Sequence, residues 1–164
     1  MFSIVIPSWN NLPYLRLCVQ SLRRNSRYAH QILVHVNDGS DGTREWVAGE
    51  GIEHTASDVN LGICFAVNLA AARARTGYVM YLNDDMVAAP GWDTALELSL
   101  ARVAKQPMFM LSGTMIEPVD TGNRCAVVAD HGREPAGFDL ERFSTTVRRS
   151  EEHTSELQSP IHIS

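Results

Sequence analysis

Lysine is almost missing from this sequence: of 14 basic side chains, 13 are arginine and only Lys105 is lysine. Cysteine is sparse as well. Cys18, Cys64 and Cys125 are odd in number, far apart and without a C-x-x-C pair. They read as buried or free thiols in a reducing cytoplasm, not as a disulfide frame or a zinc site. Glycine and proline together account for 18 of 164 residues, too few for collagen or general disorder. No apolar run approaches the roughly 18 residues of a membrane span. The opening MFSIVIPSWN has no basic n-region and runs straight into a strand pattern, so it does not read as a secretory signal. Positive charge is in deficit, with 19 acidic against 14 basic groups and a net charge of −5. A protein that blankets a phosphate backbone has the opposite balance, so a nucleic-acid partner is not expected. What remains is a soluble cytoplasmic chain with one domain's worth of sequence, long enough to bury a single core.

The end of the chain departs from the rest. Residues 149–164, RSEEHTSELQSPIHIS, are polar and show no helical or strand period. Residues 149–159, RSEEHTSELQS, resemble a translated sequencing adapter, so this segment is expected to be a non-native tail and is set aside from fold reasoning. Residues 1–148 then carry 13 basic and 16 acidic groups, net −3, and His153 and His162 drop out as candidates for chemistry. On this reading the native protein continues past Arg148. Any membrane association would belong to those further parts.

Apolar runs and turn formers alternate along the rest. Phe2–Ile6 is a β-branched run stopped by Pro7, the pattern of a buried strand. Asn10 or Asn11 can cap a helix whose first turn holds Pro13, with Leu12, Leu15, Val19 and Leu22 inward and Arg16, Arg23 and Arg24 outward. A second strand, Ile32–Val36, ends in the dense turn cluster Asn37-Asp38-Gly39-Ser40-Asp41-Gly42. A short helix over 43–48 and a weak strand over 52–55 follow. A helix is expected from Ile63 to Arg75, ended by Gly77, with the small face Ala66, Ala70, Ala71 and Ala74 able to lie close on a sheet. Tyr78–Leu82 reads as a strand, and a helix starts near Gly91 with Trp92, Leu96, Leu100 and Val103 inward. A further strand is expected over Met108–Leu111, then a loop-rich stretch, then a last short helix over 138–147. Strands alternating with helices predict an α/β fold, a parallel sheet with helices on both faces.

In such sheets ligands bind beyond the carboxyl ends of the strands. Three polar clusters lie at those ends: Pro7-Ser8-Trp9-Asn10, Asn37-Asp38-Gly39-Ser40 and Asn83-Asp84-Asp85. Each alone reads as well as a turn or a helix cap; together they could line one crevice. The absences narrow its chemistry. The first strand-to-helix turn has no G-x-G-x-x-G, there is no G-x-x-x-x-G-K-[ST], and there is no G-x-S-x-G. Dinucleotide dehydrogenases, P-loop NTPases and α/β-hydrolases are disfavoured accordingly. An acidic site would repel a bare diphosphate unless a divalent cation, Mg²⁺ or Mn²⁺, stood between them. Residues 83 and 85 share one side of an extended strand end, leaving 84 for a different partner.

SIVIPSWNN, VNDGSDGT and NLGICFAVNLAAARARTGYVMYLNDDMVAAPGW, in this order and spacing over residues 2–117, resemble the N-terminal half of a family 2 glycosyltransferase of GT-A fold. The resemblance implies a GT-A-like, mostly parallel sheet and places Pro7, Ser8 and Asp38 at the nucleotide base and ribose, with Asn10 in the same strand-end cluster. It matches Asn83-Asp84-Asp85 to the family's D-x-D-type motif, with Asp85 as the metal ligand and Asp84 near the ribose or the metal. Asn83 stands where the stricter motif has aspartate.

The reaction so implied moves a sugar from a nucleotide-diphosphate-sugar to an acceptor hydroxyl, saccharide, lipid-linked or other, with inversion and with Mn²⁺ or Mg²⁺ as cofactor. The general base of the family lies on a later segment that nothing here matches. The five late carboxylates, Asp120, Asp130, Glu134, Asp139 and Glu141, read as solvated loop residues. His131 reads as exposed and His35 as a packed, satisfied histidine, while Trp9 alone among the tryptophans sits at a strand end beside the crevice. Two alternatives stand beside this reading: a nucleotidyltransferase-like enzyme, which would want a glycine-rich basic loop after the first strand, and a non-catalytic nucleotide-binding module.

Overall fold

The computed structural model describes residues 1–123 and 126–154. The chain divides into two compact units, Met1–Ala88 and Ala89–Ser164. The first holds β1 (Ser3–Trp9), α1 (Leu12–Asn25), β2 (Gln31–Asn37), α2 (Thr43–Gly49), β3 (Glu53–Ser57), α3 (Ile63–Ala71) and β4 (Val79–Tyr81). The four strands form one all-parallel sheet in the order β3-β2-β1-β4. The chain steps outward from β1 through β2 to β3, then returns to place β4 on the other side of β1. The order therefore reverses between β1 and β4, a topological switch point whose crevice opens at the carboxyl ends of these strands.

β1 is the spine of this sheet. Every residue from Ser3 to Ser8 is buried, so both faces are covered, as the uninterrupted apolar run predicts. Pro7 does not stop the strand; it pairs with His35 and the strand runs on to Trp9. Successive residues of a strand direct their backbone groups to alternate neighbours. Ser3 donates to the Tyr78 carbonyl and Val5 accepts from Leu82, so Pro7, of the same parity, turns its missing N–H toward the side where β4 has already ended. No ladder bond is lost there, and the proline is tolerated.

The helices follow their apolar faces. Leu15, Cys18, Val19 and Leu22 of α1 are buried, with Arg16, Arg23 and Arg24 exposed. On α3, Ala66 and Ala70 are buried, and Ala70 packs with Val5 and Leu33, flanked by Val67, Ala71 and Ala74. The small face therefore does let this helix lie close on the sheet. It ends at Ala71, short of the expected Arg75, for a tertiary reason: the Arg75 N–H is drawn to Ser3 Oγ and Gln31 Oε1, which tie the chain to the starts of β1 and β2. His35 is fully buried and bonded through Nδ1 to Thr55 (2.7 Å) and through Nε2 to Ser57 (3.2 Å), the satisfied histidine expected.

The second unit holds α4 (Trp92–Val103), the parallel pair β5 (Met115–Glu117) and β6 (Ala126–Val128), a 3-10 turn at Pro135–Gly137, and α5 (Leu140–Thr154). Met108–Leu111 is not a strand. Met108 and Met110 are 87% and 78% exposed, and a short apolar run without a neighbouring ladder has nothing to make it one. The pair β5–β6 lies instead in the stretch expected to be loop. His131 is buried, not exposed; it meets the Phe143 ring edge-on, and its ring nitrogens have no hydrogen-bond partner among the described residues. α5 runs to Thr154, so the first residues of the polar tail continue a helix despite their lack of period, while residues 155–164 lie outside those described. Cys18 is a buried free thiol and Cys64 an exposed one; Cys125 lies outside the described residues.

Two outcomes test this packing. Ala70→Leu forces a bulky side chain between α3 and the sheet and is expected to cost about 1–3 kcal/mol in urea unfolding. Burial holds the His35 imidazole below its ordinary value of 6.5. The stability linked to the neutral ring is thus complete above pH 6.5 and is lost as pH falls from there toward the folded-state value, because the unfolded chain takes up the proton first. Unfolding midpoints compared at pH 8 and pH 5.5 should show this fall, and His35→Gln should remove that part of the slope.

Candidate functional site

Three loops leave the carboxyl ends of β1, β2 and β4, and side-chain hydrogen bonds sew them together. Ser8, the last buried residue of β1, donates from Oγ to Asp84 Oδ2 at 2.6 Å. Asn11, at the N-cap of α1, donates from Nδ2 to Asp84 Oδ1 at 3.0 Å. Asn11 thus holds the cap position expected of it, but its side chain spans to the β4 loop instead of capping. The first turn of α1 is served from another loop, where Asp41 Oδ2 accepts from the Leu12 N–H at 2.8 Å.

Asn10 does the corresponding work between β1 and β2. Its Nδ2 donates to Asp38 Oδ2 (2.9 Å) and Ser40 Oγ (3.2 Å), and its Oδ1 accepts from the Gly39 N–H (3.0 Å). Asn10 (φ 47°) and Asp38 (φ 63°) both occupy the left-handed region, which short amide and carboxylate side chains tolerate best. Gly39 follows at φ 78°, where a Cβ would stand 2.6 Å from Val36 Cγ1, so neither the conformation nor the space admits a side chain. Arg44 braces the floor, donating to the Asp38 and Ser57 carbonyls at 2.8 Å each. Asn37 turns inward and accepts from the Leu61 N–H.

The third loop carries Asn83, Asp84 and Asp85. The middle residue faces inward to Ser8 and Asn11 and the outer two are exposed, as the alternation along a strand end predicts. Asn83 Oδ1 accepts from the Tyr81 hydroxyl. Burial raises the carboxyl pKa of Asp84, which the bonds from Ser8 and Asn11 offset only in part, while neighbouring Asp85 raises it further. Behind the loop, Cys18 Sγ lies 3.7 Å from the Asn83 carbonyl oxygen. Burial pushes that thiol far up, with Asp84 and Asp85 adding to the effect, so it is an inert, protonated packing group.

Asp85 is left as an exposed carboxylate to which no described residue donates a hydrogen bond. Among the described residues no group of three His, Cys, Asp or Glu side chains stands ready for a metal. A lone free carboxylate does fit a hard divalent cation whose other positions are filled by phosphate oxygens and water. Pro7, Ser8, Asn10, Asp38, Asn83, Asp84 and Asp85 therefore gather at one edge of the sheet, with Trp9 57% exposed beside them. Asn11, Asp41, Arg44 and Cys18, none of which was expected to take part in joining the strand-end loops, hold them. Asp120, Asp130, Glu134, Asp139 and Glu141 are all exposed, and Asp120, Asp130 and Asp139 accept from backbone N–H groups two or three residues on, as turn and cap formers do.

The family model for glycosyl transferase family 2 matches residues 3–102, more than half of the chain. The chain belongs to this family. Its fold is also that of solved structures. S. aureus TarS 1-349 matches with a TM-score of 0.57 at 17% identity, over 79% of this chain and 38% of that one. The mannosyltransferase PcManGT from Pyrobaculum calidifontis, in complex with GDP-Man and Mn²⁺, matches with a TM-score of 0.58 at 18% identity, over 70% of this chain and 35% of that one. TarS 1-349 in complex with UDP matches with a TM-score of 0.51 at 17% identity. This family 2 chain thus spans little more than a third of the length of those proteins. A comparison with curated proteins finds no significant sequence match. Among the described residues no helix is long and apolar enough to cross a membrane.

Gly39→Ala strains the backbone and collides with Val36. It is expected to lower stability by about 1–3 kcal/mol in urea unfolding, and to shift the amide resonances of Asn10 and Asp38 more than those of the sheet.

Proposed function

We propose that this chain is the donor-binding part of a metal-dependent, inverting glycosyltransferase, which transfers a sugar from a nucleotide-diphosphate-sugar to an acceptor hydroxyl. The observation that carries the reading is the meeting of the three strand-end loops at the switch point, with one carboxylate, Asp85, left free at its mouth. Membership in family 2 supports sugar transfer, and the matched mannosyltransferase was solved with GDP-Man and Mn²⁺.

In this reading Pro7, Ser8, Asn10 and Asp38 form the nucleoside side of the crevice. Asp38, fixed by Asn10, keeps one carboxylate oxygen for a ribose hydroxyl, and exposed Trp9 offers a flat face beside it. Asn83 and Asp85 form the diphosphate side. A divalent cation bound there would neutralise the charge that builds on the leaving diphosphate. Without one, the carboxylates of Asp38, Asp84 and Asp85 repel the same diphosphate. The general base that takes the acceptor proton is assigned to a segment beyond Arg148, and residues 1–148 by themselves are expected to bind the donor without transferring its sugar.

The test is a melting experiment on the whole chain with UDP, GDP or dTDP, each with and without Mn²⁺ or Mg²⁺. A ligand at about 100 times its Kd adds roughly 2.7 kcal/mol, or several degrees for a protein of this size. One nucleotide should raise Tm in this way only with the cation present, and Asp85→Ala should abolish the increment while leaving the ligand-free Tm unchanged. A cation-independent increment, or none with any of the three nucleotides, would remove the proposal.

A further inference from the structure

Asp84 lies in the middle of the acidic motif, yet its geometry differs from that of its neighbour. Both of its oxygens already accept a side-chain hydrogen bond, from Ser8 at 2.6 Å and from Asn11 at 3.0 Å. These donors sit 76 and 73 residues away in sequence, one on the central strand and one at the start of α1. Asp84 is half-buried and Asp85 is exposed. From below, the Cys18 thiol reaches the Asn83 carbonyl, and Asn25 and Ser21 bind the Ala88 backbone, with Asn25 Nδ2 donating to its carbonyl at 2.7 Å and the Ala88 N–H donating to Ser21 Oγ at 2.8 Å. The segment after β4 is therefore anchored to α1 at both ends, and the Asp84 carboxylate is its anchor nearest the crevice.

We infer that Asp84 is a positioning residue: its carboxylate clamps the β4 loop between Ser8 and Asn11, and so fixes Asp85 as the carboxylate that faces the ligand. Two adjacent aspartates divide the work by environment. Asp84 spends its hydrogen-bonding capacity on the protein, and Asp85 keeps its own free. The direct bonds to an anionic acceptor are the strong kind, and their loss should be felt at the loop itself. Ser8 and Asn11 then act through Asp84, so removing any one of the three has the same local effect. Only the consequence for ligand binding rests on the donor-site reading given above; the clamp is a property of the free protein.

Hydrogen exchange on the ligand-free chain tests the clamp directly. The peptide spanning residues 81–86 should exchange about tenfold faster in Ser8→Ala, Asn11→Ala and Asp84→Asn, while peptides from β2 and β3 keep their wild-type rates. The double variant Ser8→Ala/Asp84→Asn should exchange no faster than Asp84→Asn. Unchanged exchange in both Ser8→Ala and Asn11→Ala would overturn the clamp, and Asn11→Ala keeps the test open should a change at buried Ser8 impair folding. The second readout is Mn²⁺ affinity in the presence of UDP or GDP, followed by the spectrum of free Mn²⁺. The three single variants should weaken it by a similar factor of about ten, without additivity in the double variant. Loss of Mn²⁺ binding in Asp84→Asn with wild-type affinity in Ser8→Ala and Asn11→Ala would make Asp84 a direct ligand and end the inference. No Mn²⁺–nucleotide binding by the wild-type chain would count against the proposed function, and the exchange rates would still decide the clamp.

Discussion

The whole carboxyl edge of the sheet hangs on β1 having a parallel neighbour on each side. β1 pairs with β2 along one edge and β4 along the other, and its residues from Ser3 to Ser8 are buried on both faces; its register is fixed against both partners, since a slip by one residue would turn every side chain over. With that register set, Ser8 arrives at the level where β4 has just ended, and Asn10 arrives beside the loop that leaves β2. The hydrogen bonds of the crevice then follow as short-range matters of reach. No part of the site is built by one segment alone.

Physical economy also explains the two kinds of polar residue at this edge. Those that lie inside, Ser8, Asn37, Asp84 and His35, each have partners, as burial demands. Those turned outward, Asp85, the second carboxylate oxygen of Asp38 and the ring of Trp9, have capacity to spare for a ligand. The backbone at Asn10 and Asp38 is held in a sparsely populated conformation by surrounding bonds. Such positions persist where the surroundings over-determine them, and they concentrate at binding sites.

Much of this was legible in the sequence because turn chemistry and periodicity are local. The first four strands, the helices and the three strand-end clusters could be read from short windows, and the alternation at residues 83–85 set Asp84 apart from its two neighbours without naming its partners. What could not be read was long-range. Pairings such as Ser8 with Asp84 and Asn10 with Asp38 connect loops that only the sheet order brings together. Arg75 leaves its helix because Ser3 and Gln31 compete for its N–H, and Met108–Leu111 has strand-like residues with no ladder to join. His131 looked exposed because its neighbours are turn formers, while the aromatic ring of Phe143 that covers it comes from a helix twelve residues on.

Pro7 carries a meaning that its tolerance in the strand hides. A sheet grows where one backbone finds donors and acceptors on the next, and at Pro7 that supply is interrupted on the β4 side. A longer β4 could not zip past Tyr81 along β1 without losing a bond at Pro7, which has a carbonyl to accept with but no N–H to donate. The ring therefore works as a stop in the seam. It keeps two parallel strands from closing over the gap between their ends, and so leaves a mouth where a featureless stretch of sheet would otherwise form.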